Sequence, residues 1–405
     1  MMTTKWRLLS LLLAAGLVAG ACSSDDGDDT AAGDDTSSTT AADGSSDSGN
    51  TGDNADTGDS GTGDGPLAGV CPSPLVIQTD WFPEAEHGAL FELVGDDYEI
   101  DGDNKLVRGN MVLGDVDQGI DVEVRAGGPA IGSGTVAGEM YTDDSIQIGY
   151  ATTDSQILRA DTPLLSVMAP LERNPQIIYW DPETYPEIES IADLGEAGVT
   201  VNVFPGGTFA DVFVAMGLWN ADQVDPSYDG SPGRFVADGT IAQQGFASAE
   251  PWTYKNTVTD FGRDVAYQLF DDAGFRVYSQ TLGIKPDDKE ALAPCLEQLI
   301  PVMQQATVDY YADPAETNAL IVEAVAEYDT FWVYPSELAD FSVETQLELG
   351  LAGNGDDDVV GNMDPERIQT VIDQLVAADM DVPDGITPDD VFTNEFIDDS
   401  IGFPD

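Results

Sequence analysis

The stretch Leu75 to Leu90 (LVIQTDWFPEAEHGAL) gathers the side chains of this chain best suited to holding a small polar molecule. It places a carboxylate at Asp80, aromatics at Trp81 and Phe82, two more carboxylates at Glu84 and Glu86, and the single histidine of the sequence, His87. Carboxylates accept hydrogen bonds from amines, and tryptophan faces stack on flat rings. A second grouping of the same kind, Glu250-Pro251-Trp252-Thr253-Tyr254, lies far along the chain. The chemistry expected is reversible binding of a flat, amine-bearing ligand. A tryptophan after a strand also serves as plain rim packing, and that reading stands beside the first.

These groups need strand ends to carry them. Leu75 to Ile77 is an apolar run suited to a buried parallel strand, and Pro83 stops the ladder, so Asp80 and Trp81 fall at the carboxyl end. In open α/β sheets that is where ligands bind. Strand, polar loop and helix then recur. Ile120 to Arg125 leads into Gly127-Gly128-Pro129, and Ile146 to Tyr150 into Thr152 and Thr153 at a helix start. The crevice is therefore expected to be lined by Asp80, Trp81, Gly128, Thr152 and Thr153, with His87 opening a helix beside it. Further on, Val199 to Phe204 runs into Pro205-Gly206-Gly207-Thr208 and an apolar helix. A glycine turn there either joins two elements or offers backbone N–H groups to a ligand at Gly207 and Thr208. Gln243 to Ala247 then delivers Glu250 and Trp252 as a facing jaw. Between these units, 96–119 reads as an inserted hairpin with brief strands on either side of Gly109. From Asp287 onward the chain reads as successive helices, broken near Ala293, and a short one closes it at Asp389 to Phe396.

The chain has 405 residues and a formal charge of −62, with 76 acidic against 14 basic residues. Lys5 and Arg7 precede an apolar run from Leu8 to Val18, shorter than the roughly 20 residues of a membrane span, as in a secretory leader. Ala19-Gly20-Ala21-Cys22 resembles a lipobox, so 1–22 is expected to be removed up to a lipidated Cys22; cleavage near Ala21 without lipid is the alternative. Residues 23–70 are nearly all Ser, Asp, Gly, Thr and Ala and should form a disordered acidic tether. Twelve acids precede Cys71, leaving 64 acidic against 12 basic residues beyond it. Such a surface repels nucleic acid and anionic headgroups. With Cys22 lipidated, Cys71 and Cys295 remain as a pair for a disulfide, or as two buried free thiols.

Asp80-Trp81-Phe82-Pro83 with Glu86-His87-Gly88, then Gly127-Gly128-Pro129, Glu250-Pro251-Trp252-Thr253-Tyr254 and Phe392-Thr393-Asn394-Glu395-Phe396 run in colinear order from about Leu75 to the end. Together they resemble the substrate-binding proteins of ABC importers in the family serving thiamine pyrimidine precursors, sulfonates and nitrate. The resemblance implies an α/β, two-lobed, periplasmic-binding-protein-like type II fold, each lobe a doubly wound, mostly parallel sheet, joined by a two-segment hinge. The lobes are expected at 71–168 with 278–405, and at 169–277. It further implies a monomeric, lipid-anchored extracytoplasmic protein with no cofactor, no metal and no catalysis. Such a protein hands a small molecule to an ABC permease driven by its ATPase. By position, Trp81 carries over as the stacking residue and Asp80 as a polar contact. Sulfonate, taurine, nitrate or riboflavin binding is the alternative, with Arg125, Arg159 and Arg173 as candidate anion partners. A related fold synthesises the thiamine pyrimidine, with a histidine, a lysine-bound cofactor and a cysteine-rich iron motif. This chain has only His87 and no clustered cysteines.

Overall fold

A computed structural model of the chain describes residues 64–132, 134–355 and 357–404, all within one compact unit, Gly58–Asp405. The leader, Cys22 and nearly all of the tether lie outside the described residues.

The chain proceeds through β1 (Leu75–Gln78), α1 (Gly88–Phe91), β2 (Glu99–Asp101), β3 (Leu106–Leu113), β4 (Val116–Arg125), α2 (Val136–Thr142), β5 (Ile148–Ala151), α3 (Thr153–Leu158) and β6 (Leu165–Met168). It continues through β7 (Gln176–Trp180), α4 (Ile191–Ala197), β8 (Val201–Asn202), α5 (Thr208–Ala215), β9 (Val224–Asp225), α6 (Gly233–Ala237), β10 (Ala242–Phe246), α7 (Glu250–Asn256) and β11 (Ala266–Leu269). It ends with β12 (Thr281–Ile284), α8 (Lys289–Ala312), α9 (Ala315–Tyr328), α10 (Ser336–Glu348) and α11 (Pro365–Ala377). Two sheets result, in the orders β2-β3-β4-β1-β5-β12-β6 and β11-β7-β10-β8-β9.

The short apolar run Leu75–Gln78 becomes the strand with parallel neighbours on both sides, β4 and β5, and all four of its residues are buried. That is the environment such a run demands. The expectation of mostly parallel sheets is corrected at the edges. Strands β2, β3 and β4 form an antiparallel meander, β12 runs antiparallel to both β5 and β6, and β7 runs antiparallel to β10 and β11. The reason is connectivity: neighbours joined by hairpins, or by strands that pass from one sheet to the other, lack the helical crossover that parallel pairing needs. The inserted hairpin also differs from its expected form. β3 runs unbroken through Gly109, and the turn is the two-residue Gly114–Asp115 loop, so the insertion widens the first sheet.

Helix α8 is continuous although Pro294 and Pro301 lie inside it. Each proline forfeits an amide donor, but Leu296, Leu299, Ile300, Met303, Ala306 and Tyr310 bury one face of the helix against the first sheet's core, and that packing overrides local propensity. Cys295 on this helix is bonded to Cys71, which ties the segment before β1 to α8. Residues Asp389 to Phe396 supply only a single 3₁₀ turn, Pro388–Asp390, followed by a bridge from Phe392 to Ser166 at the edge of the first sheet. Among the described residues no helix is long and apolar enough to cross a membrane.

The chain passes from the first sheet to the second after β6 and back before β12. Arg367 of α11 grips both passages. Its Nη1 donates to the Glu172 carbonyl at 2.7 Å and its Nε to the Arg276 carbonyl at 2.7 Å, while Nη2 donates to the Val277 carbonyl at 3.0 Å. The guanidinium also lies 3.6 Å from the Tyr278 ring centroid. The rest of α11 departs from the expected allocation of 278–405 to the first lobe. Ile368, Val371, Ile372 and Leu375 pack with Phe213, Phe270 and Phe275 in the core beneath the second sheet.

Arg367→Met would remove the guanidinium donor from the Glu172, Arg276 and Val277 carbonyls and is expected to cost about 3 kcal/mol of unfolding free energy. Lysine, a point charge lacking the planar fork, should restore only part of it. Urea denaturation of the two variants measures both effects, and a native midpoint in Arg367→Met would refute the clamp.

Candidate functional site

The loop after β1 is fixed before it reaches any ligand. Gln78 Nε2 donates to the carbonyls of Arg125 and Ala126 at 3.1 and 2.9 Å, and Thr79 Oγ1 donates to the Trp81 carbonyl at 2.7 Å. Gly127 N–H donates to the same Trp81 carbonyl at 3.0 Å. Gly128, at φ 55°, lies flat under the indole: a Cβ built there would stand 2.5 Å from Trp81 Cε3. Gly128 is therefore a buttress for the tryptophan rather than a ligand contact.

Asp80 and Trp81 open onto a cavity of about 120 Å³ that both halves of the chain enclose. From the first half come Asp80, Trp81, Glu84, Gln280 and Trp332; from the second come Phe204, Tyr228, the Gln244–Phe246 strand end and Glu250. The Trp81 and Trp332 rings meet edge to face, 6.0 Å between centroids, and Trp332 stacks in turn on Tyr334 at 5.9 Å. No Lys or Arg lines this cavity.

Of the expected ligand residues, the geometry brings Asp80, Trp81 and Glu250 together. The others take different places. His87 is fully buried behind Asp80, its Nε2 2.9 Å from Asp80 Oδ1, and its Nδ1 has no partner. With the proton on Nε2 no donor is orphaned, so the ring reaches the cavity only through Asp80. Trp252 packs against the first sheet's core, and the aromatic wall is completed by Trp332 instead. Thr153 ties α3 to the returning passage, its Oγ1 accepting from Tyr278 N–H at 3.1 Å. Thr208 Oγ1 donates to Asp154, so the turn at Gly207 is closed by a carboxylate of α3 rather than offered to this cavity. Thr152 lines a second cavity of about 200 Å³ with Ser155 and Arg159, which touches the first only at Asp80.

Two residues without a distinctive sequence signal complete the site. Trp332 sits between α9 and α10 and donates from Nε1 to the Pro83 carbonyl at 3.3 Å. Gln280 stands at the start of β12 with φ 54°, a left-handed conformation unusual for a side-chain-bearing residue, and is 2% exposed. Its Nε2 lies 3.3 Å from Asp80 Oδ1 and 3.5 Å from Glu84 Oε1, and its Oε1 has no partner.

Three carboxyls are crowded here without a balancing cation. Burial, then the negative charges of Glu86, Asp80 and Glu250, hold Glu84 well above the usual carboxylate range. Burial raises Glu86 too, opposed by the hydroxyl of Ser248, which donates to Glu86 Oε1 across the cleft. Burial pushes Glu250 up to about 7, although its Oε2 accepts from Phe246 N–H at 2.6 Å. Gly245 makes room for it: a Cβ there would meet the Glu250 carboxyl carbon at 2.7 Å. Among the described residues no group of three or more His, Cys, Asp or Glu is arranged to hold a metal ion.

Carboxyls whose pKa is raised by folding favour the folded state when protonated. Their contribution is complete below the ordinary carboxylate value near 4.3 and is lost as pH rises, for Glu250 through about 7. The melting temperature of the ligand-free protein should therefore fall by several degrees from about pH 5 to about pH 8. In Glu84→Gln/Glu250→Gln the slope should flatten, while repulsion across the acidic surface stays the same. An unaltered slope in scanning calorimetry would disprove the cluster's role.

No family model matches the chain, and no curated protein matches it. Solved structures do. A protein from Bordetella bronchiseptica RB50 matches at 16% identity with a TM-score of 0.51, covering 80% of this chain and 96% of its own. The alkanesulfonate-binding protein SsuA from Xanthomonas axonopodis pv. citri, bound to MOPS, matches at 13% identity and TM-score 0.50, covering 80% and 98%. The periplasmic nitrate-binding protein NrtA from Synechocystis PCC 6803 matches at 13% and 0.50, covering 80% and 88%. At these identities the likeness is one of fold: two α/β units built on separate mixed sheets, crossed twice by the chain, in the periplasmic-binding-protein-like arrangement that the sequence led us to expect.

Proposed function

We propose that this protein is the extracytoplasmic solute-binding component of an ABC importer, anchored through a lipid on Cys22 and working as a monomer. Its ligand is a small heteroaromatic of the thiamine-pyrimidine-precursor type, which it passes to the permease. The observation that carries this reading is the lining of the cleft: the Trp81 and Trp332 rings, with the carboxyls of Asp80, Glu84 and Glu250 and no basic side chain. The cavity, at about 120 Å³, is on the scale of the engineered cavity of about 150 Å³ that admits benzene, the size of a single small ring. Exocyclic amines and ring nitrogens donate to the carboxylates while indole rings cover the faces. Binding without turnover is in keeping with a site whose only histidine is sealed behind Asp80.

A second reading, an alkanesulfonate, taurine or nitrate as ligand, is favoured by one observation. Among the described residues Arg159 is the basic side chain with no hydrogen bond or ion pair to a protein group, and it lines the second cavity with Thr152, Ser155 and Thr135. Arg125 is engaged by Glu123 and Asp143, and Arg173 by Asp271 and Asp272. The anion-binding neighbours SsuA and NrtA keep this reading in play.

Calorimetric titration with hydroxymethylpyrimidine, formylaminopyrimidine, riboflavin, taurine, methanesulfonate and nitrate separates the two. An aminopyrimidine should bind, and Trp81→Ala should weaken it about 10- to 100-fold, the equivalent of roughly 1.5 to 3 kcal/mol. Arg159→Gln should leave that affinity unchanged. Binding confined to the anions and abolished in Arg159→Gln would establish the second reading in place of the first.

A further inference from the structure

We propose that the cleft takes its ligand as a cation and that one proton leaves the buried Glu84 and Glu250 carboxyls for bulk solvent with each monocation bound. This inference rests on the aminopyrimidine reading and names the charge state in which that site works.

The polar side chains that line the cavity are the carboxyls of Asp80, Glu84 and Glu250, the amides of Gln244 and Gln280 and the phenol of Tyr228, with no Lys or Arg among the described residues there. Gln280 has its Nε2 directed at Asp80 and Glu84, and its buried Oε1 has no partner. The Glu250 carboxyl has one oxygen engaged by Phe246 N–H. The second half of the cleft adds Phe204, Phe246 and Tyr228 but no Lys or Arg. A neutral base with ring-nitrogen lone pairs finds donors here chiefly in the protons that the buried carboxyls hold, and an anion finds three carboxyls and no cation to pair with. A protonated aminopyrimidine presents a positive charge and amine N–H groups that a carboxylate accepts, and the indoles lining the cleft attract its charge as well as its surface.

Charge conservation supplies the proton. The groups that face Glu84 are Asp80, Glu86, Glu250 and, through Asp80 and Gln280, His87. Those around Glu86 include His87, Tyr310, Tyr311 and Tyr334, and those around Glu250 include Tyr179, Tyr228 and Tyr254. His87 is the sole member of this set able to carry positive charge. So many carboxylates cannot all be ionised in an empty buried cleft, and the site holds protons there that an entering cation replaces. The O–H bond of a buried carboxyl breaks, its proton goes to buffer, and the cleft keeps its net charge.

The full-length protein is titrated by calorimetry at about pH 6.5 in two buffers of different ionisation enthalpy. The probes are hydroxymethylpyrimidine, its permanently charged N1-methyl derivative, and methanesulfonate. The N1-methyl cation should bind at least tenfold more tightly than the neutral pyrimidine at about pH 8 and release close to one proton at pH 6.5. That release should vanish near pH 9 and in Glu84→Gln/Glu250→Gln. Because the double variant also alters the lining, Gln280→Glu serves as a second probe: an added acid should increase proton release if the variant still binds the cation. Equal binding of neutral and charged pyrimidines with no buffer dependence would overturn the cation proposal and leave the aminopyrimidine reading intact. Failure of every pyrimidine, or preference for methanesulfonate, would overturn both.

Discussion

Three carboxyl groups, one imidazole and one amide packed out of water around the half-buried Asp80 at the junction of two sheets set the terms for the rest of this structure. Each carboxyl alone is tolerable if protonated or hydrogen-bonded; together they repel and cannot be ionised at once. The surrounding elements supply what relief there is. Ser248 reaches Glu86 from the opposite side of the cleft, Phe246 N–H reaches Glu250, and His87 and Gln280 share Asp80. Gln280 accepts a left-handed backbone to do so, a local cost of about 1 kcal/mol or more that persists because β12 and the passage before it determine its position.

The glycines around the site serve the same end. Gly128 lets the Trp81 indole lie against backbone, and Gly245 lets the Glu250 carboxyl fold back onto its own strand end. In both cases a glycine sets the position of a side chain that faces the cavity. The hydroxyls of Thr153 and Thr208 likewise tie elements to each other, to Tyr278 and to Asp154. A polar residue at a strand end is as useful for joining two lobes as for holding a solute.

That division explains what was legible beforehand. Asp80, Trp81 and Glu250 could be found because a buried strand ending in proline, or in a carboxylate before a helix, marks a crevice from sequence pattern alone. Trp332 could not. It comes from an irregular connection between two helices, and only the packing of α9 and α10 on the first sheet brings it 6.0 Å from Trp81. Gln280 begins a strand that reads as plain apolar core, and its strained backbone leaves no mark on residue type. The misplacement of Trp252 has the same origin: its neighbourhood matched, but α7 turns that face onto the first sheet's core. In the fold, periodicity located the strands, while the pairing direction of β7 and β12 depended on the chain passing twice between sheets, which no local pattern encodes.

The contacts that span the cleft tie the ionisation of the acid cluster to the joining of the two halves. Ser248 donates to Glu86, Thr208 to Asp154, and Ser342 to the Ser248 carbonyl at 2.7 Å, so three hydroxyls stitch the halves together around the acid cluster. Parting the halves would hydrate Glu84, Glu86 and Glu250, return their pKa values toward the ordinary range and ionise them. Bringing the halves together reverses this and must either take up protons or enclose a positive charge. On the cation proposal, an enclosed positive charge offsets the cost of burying these carboxyls, so the joined halves would be favoured more with a cation inside than without one.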